Sequence, residues 1–233
     1  MQGRPVVDGV FVNGHGPYRF LVDTATTSNH IEPGLAQAIG LKATFRTELA
    51  TAVGTVTAPG GNGVEVTLGE ARADRQEFLF AGMEVVHQLS RDIQGILGQA
   101  FLSRFDYLLD LRGKRLEFGK QNPTGRRARL RNVDGRPAIT TNLGDLVLDS
   151  GVARLILYGI EAAKGDMIYM KTVAGSQMAG LATRVLSIEG RSVWRGEAVT
   201  IPDRAEPGVA GLMPVNLFRS VYVSNSERYL VFE

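Results

Sequence analysis

The stretch Phe20-Leu21-Val22-Asp23-Thr24-Ala25 is repeated later in the chain as Leu146-Val147-Leu148-Asp149-Ser150-Gly151. Each stretch is an apolar run that ends in an aspartate, a small hydroxyl residue and a residue with at most a methyl side chain. The two aspartates are 126 positions apart in a chain of 233 residues. Internal repetition takes precedence over any single motif, because it changes the interpretation of the whole chain.

The repeat extends well beyond the two aspartates. Three further matches follow in the same order, at offsets that fall from 121 to 114: Thr51–Thr55 with Thr172–Ser176, Gly95–Gly98 with Gly211–Pro214, and Phe105–Phe118 with Val221–Phe232. Four matches in register predict a tandem duplication in which the second copy is the shorter one. The alternative is that ordinary strand and turn chemistry recurs by chance in a β protein.

Strand patterns dominate both copies. Val6–Val12 and Pro17–Val22 flank Asn13-Gly14-His15-Gly16, which is typical of a hairpin turn. The 28 glycines of the chain fit a fold with many tight turns. Short helices are predicted over Pro33–Ile39, where proline comes early and glycine follows, and over Gln99–Arg104.

These patterns predict an all-β protein of two related lobes with a few short helices. The first lobe is predicted over residues 1–119 and the second over residues 137–233. Residues 120–136, which are rich in arginine, glycine and proline, are predicted to connect them. A pseudo-two-fold axis between two such lobes would bring their aspartate turns together.

Composition narrows the possible functions. The 26 basic and 24 acidic residues leave a net charge of +2, which gives no reason to expect a nucleic acid partner. The absence of cysteine excludes thiolate catalysis and cysteine-bound zinc, and three scattered histidines do not suggest a metal centre. No apolar run is long enough for a membrane-spanning helix, and no export signal is visible. The compartment stays open, and an exported location is compatible with an upstream signal that has been removed.

Two aspartates at the ends of apolar strands suggest a specific chemistry. Two carboxylates about 3 Å apart cannot both keep a negative charge, so Asp23 and Asp149 would share one proton. One carboxylate could then act as a base on a water molecule while the other donates a proton to a carbonyl group. Such a pair can hydrolyse an amide without a covalent intermediate.

The two stretches resemble the signature of the aspartic proteases, in particular the retropepsin-like and bacterial pepsin-like members. That signature is two apolar residues, Asp, Thr or Ser, and Gly, with a later apolar-apolar-Gly element. Leu148-Asp149-Ser150-Gly151 fits fully, whereas Val22-Asp23-Thr24-Ala25 departs at its last residue. The later element is present as Ile96-Leu97-Gly98 and, with a departure at its end, as Leu212-Met213-Pro214.

The resemblance implies a role for each matching residue. Asp23 and Asp149 would be the catalytic dyad, and the hydroxyls of Thr24 and Ser150 would bond backbone groups across the lobe interface. Ala25 and Gly151 would support the dyad through their backbone N–H groups. Two β-hairpins would form flaps that bind the substrate, with contributions from Thr51, Val53, Gly54 and Thr55 in the first flap and Val173, Gly175 and Ser176 in the second.

Two further hypotheses concern single residues near the first turn. Thr26 has Val152 as its counterpart in the second copy. A hydrogen bond from the Thr26 hydroxyl, which Val152 cannot make, would favour Asp23 as the charged partner and Asp149 as the protonated one. His30 is interpreted as a structural side chain that caps the region of the helix at Pro33 rather than as a base.

The sequence therefore predicts an acid-protease fold and an aspartic endopeptidase that cleaves an extended polypeptide. Both aspartates lie in one chain, which implies a monomer, and no metal or organic cofactor is expected. The alternative is a catalytically inactive relative that binds a peptide or protein, since Ala25 and Pro214 depart from the family pattern. A third interpretation is a purely structural β domain.

Overall fold

The computed structural model describes residues 3–51, 54–161, 167–172, 175–202 and 206–233. About 58% of the described residues are in β-strands. Within the described ranges the α-helices are α1, Pro33–Ala38, and α2, Gln99–Leu102, so both predicted helices are confirmed. Single turns of 3-10 helix lie at Val86–Gln88 and Val215–Leu217.

The first lobe contains a seven-stranded sheet. Its strands are paired in the order β1-β2-β7-β3-β6-β5-β4, and β1 also pairs with β5, which closes six of them into a barrel. The strands are β1 Val6–Val12, β2 His15–Val22, β3 Asn29–Ile31, β4 Phe45–Thr51, β5 Gly54–Leu68, β6 Ala71–Phe80 and β7 Gly95–Leu97.

The β1–β2 hairpin forms where the sequence predicts it. Val12 pairs with His15 across a two-residue turn, in which Asn13 and Gly14 both have positive φ angles, of 48° and 76°. Asparagine and glycine are the residues that tolerate this mirror-image turn, whose twist matches that of the flanking strands. The hairpin leads β2 directly to Asp23.

The second lobe contains an eight-stranded sheet, preceded and followed by strands of a third sheet. Preceding it are β8 Tyr107–Asp110, β9 Arg115–Phe118 and β10 Arg126–Arg129. The second lobe consists of β11 Arg131–Val133, β12 Arg136–Thr141, β13 Gly144–Asp149, β14 Ile156–Tyr158, β15 Met167–Thr172, β16 Gly175–Ile188, β17 Arg191–Ile201 and β18 Gly211–Pro214. The chain ends in β19 Ser220–Ser224 and β20 Tyr229–Phe232.

The pairing pattern of the second lobe repeats that of the first. The order β13-β18-β14-β17-β16-β15 corresponds strand for strand to β2-β7-β3-β6-β5-β4. In both lobes the aspartate strand is parallel to its neighbour, as is the pair β3–β6 or β14–β17. The lobes of the acid-protease fold expected from the repeat are therefore present.

The third sheet is shared by both copies of the repeat. Its order is β10-β20-β19-β8-β9, so strands that follow the first lobe pair with strands that end the chain. The buried Asp106 fixes this sheet to the last hairpin by accepting hydrogen bonds from the N–H and hydroxyl groups of Ser226, at 2.9 and 2.6 Å. Residues 120–136, predicted to connect the lobes, thus contribute β10 to this sheet and β11 to the second lobe.

Gly95 begins β7, which lies between β2 and β3 in the sheet, and it tests how closely the first lobe is packed. A Cβ atom on Gly95 would lie 2.5 Å from the carbonyl oxygen of His30 and 2.5 Å from the ring of Phe20, so Gly95→Ala should destabilise the protein by roughly 1–3 kcal/mol. The control is Gly34→Ala in α1, where no atom lies within 4 Å and a small gain in stability is expected. Equal unfolding free energies of the two variants in urea would contradict this packing.

Candidate active site

Each aspartate of the repeat follows a buried strand that enters the centre of the molecule. Asp23 comes directly after β2, and its N–H donates to the carbonyl oxygen of Leu97 at the end of β7, at 3.0 Å. Asp149 is the last residue of β13 and pairs with Pro214 at the end of β18. The apolar residues before both aspartates are buried, and their burial carries the carboxyl groups to the junction of the lobes.

Four reciprocal hydrogen bonds join the two aspartate turns. The hydroxyl of Thr24 donates to the carbonyl oxygen of Leu148, and that of Ser150 donates to the carbonyl oxygen of Val22, both at 2.6 Å. Each hydroxyl also accepts the N–H of its counterpart, at 3.0 and 3.1 Å. Both side chains are completely buried, so these bonds form without competition from water.

The inner oxygen of each carboxyl group is held by its own turn. Asp23 Oδ1 accepts the N–H of Ala25 at 2.9 Å. Asp149 Oδ1 accepts the N–H groups of Gly151 and Val152 at 2.7 and 3.1 Å. A Cβ atom built on Gly151 would lie 2.6 Å from Asp23 Oδ2 and 3.3 Å from Asp149 Oδ1, so those two oxygens lie within about 6 Å of each other. The structure thus brings both predicted aspartates together.

The electrostatics of the pair favour a shared proton. Burial raises the pKa of Asp149 well above its usual value, and the charge of Asp23 raises it further. Burial also raises the pKa of Asp23, against the hydrogen bonds from the N–H groups of Ala25 and Thr26. Asp149 is therefore the partner that keeps the proton, while Asp23 carries the charge.

The asymmetry does not arise from the Thr26 hydroxyl. Within the described part of the chain, that hydroxyl makes no hydrogen bond to Asp23, and Thr26 interacts with the carboxylate through its backbone N–H. Val152 offers the same N–H to Asp149, so backbone donation is nearly symmetric. The predicted direction of charge agrees with these pKa shifts, whereas the predicted donor does not.

The two departures from the family pattern are both accommodated. Ala25 does not have a positive φ, its N–H still reaches Asp23, and its methyl group packs against the apolar cluster of the second lobe. Pro214 corresponds to Gly98, whose N–H donates to the buried Oδ1 of Asn29 at 3.1 Å.

The second lobe lacks both members of that Gly98–Asn29 hydrogen bond. His30 pairs with Ile96 in the first lobe, and Ile156 pairs with Leu212 in the same way in the second. His30 therefore corresponds to Ile156, and the residue before each makes Leu155 the counterpart of Asn29. Proline therefore replaces the donor and leucine replaces the acceptor. No buried polar group loses its partner through the change.

A cavity of about 520 Å³ lies above the dyad, between the two lobes. Its walls are mainly apolar on both sides of the aspartates. The first lobe contributes Leu21, Leu49, Val85, Val86, Leu89 and Ile96, and the second contributes Val152, Ile156, Ile168, Met170, Val199 and Leu212. The cavity can therefore receive apolar side chains on either side of the carboxyl groups.

The predicted flap residues belong to two hairpins beside this cavity. Thr51 pairs with Gly54 at the end of β4–β5, and Thr172 pairs with Gly175 at the end of β15–β16. Thr55 and Ser176 follow these ends and are exposed. Val53 and Val173, which were also predicted to contribute, lie outside the described residues. Leu49 in β4 and Met170 in β15 face the cavity, which puts both hairpins at its border.

Two residues that border the cavity were not assigned to the site from the sequence. Arg4 lies at the lobe junction, where its charge acts on both aspartates. His30 is buried, its Nε2 has no hydrogen-bond partner among the described residues, and burial lowers its pKa to about 4. The prediction that His30 caps the helix is wrong, because α1 begins after Glu32 without any side-chain cap.

Known proteins share this fold. The sequence model described as "Aspartyl protease" matches residues 9–101, which include the first aspartate turn and Gly95–Gly98. Over nearly its whole length the chain is similar in structure to an aspartic proteinase from Irpex lacteus. The identity there is 12%, the TM-score is 0.55, and the match covers 97% of this chain and 93% of that one. The resemblance to the aspartic proteases is confirmed.

Two further solved structures are similar to this chain. For basic 7S globulin from soybean, the match covers 99% of this chain and 95% of the globulin chain, at 9% identity and a TM-score of 0.51. A retropepsin-like aspartic protease from Rickettsia conorii matches 44% of this chain with 72% of its own, at 23% identity and a TM-score of 0.31. No curated protein matches the sequence. At such identities the structural matches establish the fold alone.

Removing one hydroxyl of the central network should weaken the whole molecule. Thr24→Val keeps the shape of the side chain but leaves the Leu148 carbonyl and the Ser150 N–H without partners, each at a cost of about 1–3 kcal/mol. We expect the free energy of unfolding, measured in urea, to fall by roughly 2–6 kcal/mol. Thr27→Val, at an exposed position three residues on, should change it by less than about 0.5 kcal/mol. Similar values for both variants would contradict the proposed strength of the network.

The buried His30 should make the protein less stable in acid. Its pKa is about 4 in the folded protein against 6.5 when exposed, so the unfolded chain binds the proton first between these values. The stability is complete above pH 6.5 and is lost as the pH falls towards 4, by on the order of 3 kcal/mol. His30→Leu should remove this part of the pH dependence, whereas His15→Gln, in the exposed hairpin turn, should retain it. Unfolding curves at pH 4, 5, 6 and 7 measure the difference, and parallel curves for wild type and His30→Leu would exclude it.

Proposed function

We propose that this protein is an aspartic endopeptidase that hydrolyses peptide bonds of an extended polypeptide. The observation that carries the proposal is the pair of carboxyl groups joined by the Thr24–Ser150 network, in which burial raises both pKa values and that of Asp149 more strongly, so that Asp149 keeps the shared proton. A base and an acid side by side at the floor of a cavity are what the hydrolysis of an amide requires.

In the proposed reaction, the substrate carbonyl lies above the dyad with a water molecule between the two carboxyl groups. Asp23 takes a proton from the water as its oxygen attacks the carbonyl carbon, while Asp149 donates its proton to the carbonyl oxygen. The resulting tetrahedral diol loses a proton to Asp149, and the leaving nitrogen takes one from Asp23 as the C–N bond breaks. The dyad returns to its singly protonated state, and no covalent enzyme intermediate is formed.

The surroundings of the dyad support a polypeptide as the substrate. The two hairpins that end at Thr51–Gly54 and Thr172–Gly175 border the cavity and present strands to which an extended peptide could bind by backbone hydrogen bonds. Apolar walls on both sides suit large apolar side chains next to the scissile bond.

Within the described ranges, no helix has the length and apolar character needed to cross a lipid bilayer.

The proposal includes the organisation of the chain. Residues 1–119 would form the lobe with the first aspartate and residues 137–233 the lobe with the second, with residues 120–136 between them. One chain supplies both carboxyl groups, so we propose that a monomer is active, with no metal or organic cofactor. Activity proportional to enzyme concentration down to the nanomolar range would support this.

The second candidate function is peptide binding without cleavage. Two observations favour it: the family departure at Ala25, and the similarity in fold to a protein described as a globulin rather than as a proteinase. The accommodation of Ala25 and Pro214 in the structure supports the catalytic proposal over this one.

Isosteric changes in the dyad test the proposal. Asp23→Asn and Asp149→Asn should each lower kcat/KM on an unfolded protein substrate by at least about 10³-fold, because general acid–base catalysis is lost. The control Asp74→Asn removes an exposed carboxylate far from the cavity and should leave activity unchanged. A statine-containing peptide, which mimics the tetrahedral diol, should bind wild type far more tightly than Asp149→Asn. Equal binding to both, with no cleavage between pH 3 and 7, would reject the endopeptidase and favour the binding module.

A further inference from the structure

Arg4 is held at the junction of the two lobes by contacts on both of its sides. The carbonyl oxygen of Pro5 accepts the N–H of Val22, the residue before the first aspartate, at 2.9 Å. On the other side, Gly3 adopts a φ of +75° and packs so closely on Asn216 that a Cβ would lie 2.7 Å from the Asn216 Cβ. The backbone of Arg4 therefore has a defined place beside the first aspartate turn.

A second arginine is tied to the same end of the cavity. The side-chain amide of Asn216 donates to the carbonyl oxygen of Ala153 at 3.2 Å, so Asn216 connects the segment of Arg4 to the segment that precedes Arg154. Both arginines line the cavity together with Asp23 and Asp149. Two arginines from distant parts of the chain thus border the cavity: the charge of Arg4 acts on both aspartates, whereas Arg154 is exposed.

Neither arginine has a counter-ion of its own within the described part of the chain. The third arginine of the cavity, Arg136, forms an ion pair with Glu206 and is neutralised by it. Arg4 and Arg154 form no ion pair within 4 Å, and the Nε of Arg4 is buried without a hydrogen-bond partner. A dyad that shares one proton carries a single negative charge, so the described lining keeps one positive charge in excess.

Burying half of a charged guanidinium group costs free energy unless an anion neutralises it. Burial lowers the pKa of Arg4, and attraction to the singly charged aspartate pair only partly offsets this. Among the described residues no ion pair joins Arg4 to either aspartate, so its charge is not neutralised by a direct contact. The anion that a guanidinium binds with two parallel hydrogen bonds, and that a polypeptide carries, is a carboxylate.

We propose that Arg4, together with Arg154, forms a subsite that binds a carboxylate of the substrate next to the scissile bond. This inference rests on the proposed function and adds a preference to it: the enzyme selects an acidic side chain or a free C-terminus beside an apolar pair. The carboxylate supplies the negative charge that the described lining lacks. Substrates without it lose binding at this end of the cavity.

Matched peptides test the subsite. The substrates are C-terminally amidated peptides with a central pair of apolar residues. Each peptide carries a single Glu or its neutral match Gln, placed in turn at each of the three positions on either side of that pair. A second set consists of the Gln peptides with a free C-terminus in place of the amide. We expect one Glu position, or the free C-terminus, to raise kcat/KM by roughly 10- to 100-fold over its neutral match, as a charge-assisted hydrogen-bonded pair would. A gain from Glu identifies the side chain as the source, and a gain from the free C-terminus identifies the chain end.

Arg4→Met should bring the ratio of kcat/KM between acidic and neutral substrates down to about 1. Arg154→Gln should lower the ratio partially. The control Arg195→Gln removes one exposed positive charge away from the cavity and should keep the ratio of wild type. Each variant is measured at its own pH optimum, because loss of the Arg4 charge also raises the pKa values of the dyad.

Equal losses on acidic and neutral peptides would overturn the subsite and leave Arg4 as a group that only tunes the dyad. Binding of two statine peptides that differ as Glu and Gln separates this outcome from failure of the proposed function. If neither is affected by Asp149→Asn, the endopeptidase fails, yet tighter binding of the Glu peptide that is lost in Arg4→Met still supports the subsite. If neither peptide binds wild type at millimolar concentration, both proposals are rejected.

Discussion

The hydrogen bonds between the Thr24 and Ser150 turns are the constraint on which the rest of the site depends. Each hydroxyl donates to a carbonyl of the opposite lobe and accepts an N–H from it, and none of these groups is accessible to water. Unpaired, such groups would cost far more than the bonds return. The lobes therefore meet in one register, and that register brings two carboxyl groups together, a contact that electrostatics alone would oppose.

That enforced proximity explains the division of roles within the pair. Burial disfavours charge on both aspartates, and the first to ionise raises the pKa of the other. Backbone N–H groups hold one oxygen of each carboxyl in nearly the same way, so they contribute little to the asymmetry. Two chemically identical side chains on related turns thus become an acid and a base through their environment, as general acid–base catalysis requires.

The duplicated lobes have diverged where one packing solution could replace another. In the first lobe the Gly98 N–H is satisfied by the buried Asn29, whereas the second lobe has Pro214 and Leu155 at these places. Taken by itself, Pro214 departs from the family pattern. Because the N–H donor and the side-chain acceptor are both absent from the second lobe, no buried polar group there is left without a partner by this change. Ala25 is a similar case, because neither Ala25 nor its counterpart Gly151 has a positive φ.

Much of the fold and the central pair could be predicted from the sequence. The repeated apolar run with Asp and a hydroxyl residue predicted the two lobes and brought attention to Asp23, Thr24, Asp149 and Ser150, and the Asn13-Gly14 turn predicted the first hairpin. These features are encoded locally, in the alternation of apolar residues and in turn chemistry, so they are visible in a short window.

The sequence by itself determined the strands, the turns and the existence of two equivalent aspartates. Only the tertiary structure decided which partner keeps the proton, that His30 is buried beside the cavity, and that Arg4 lies near both carboxyl groups. The physical reason is that burial and charge act through space. The segment of Arg4 packs on Asn216 through Gly3, a contact between residues more than 200 positions apart that no local pattern records.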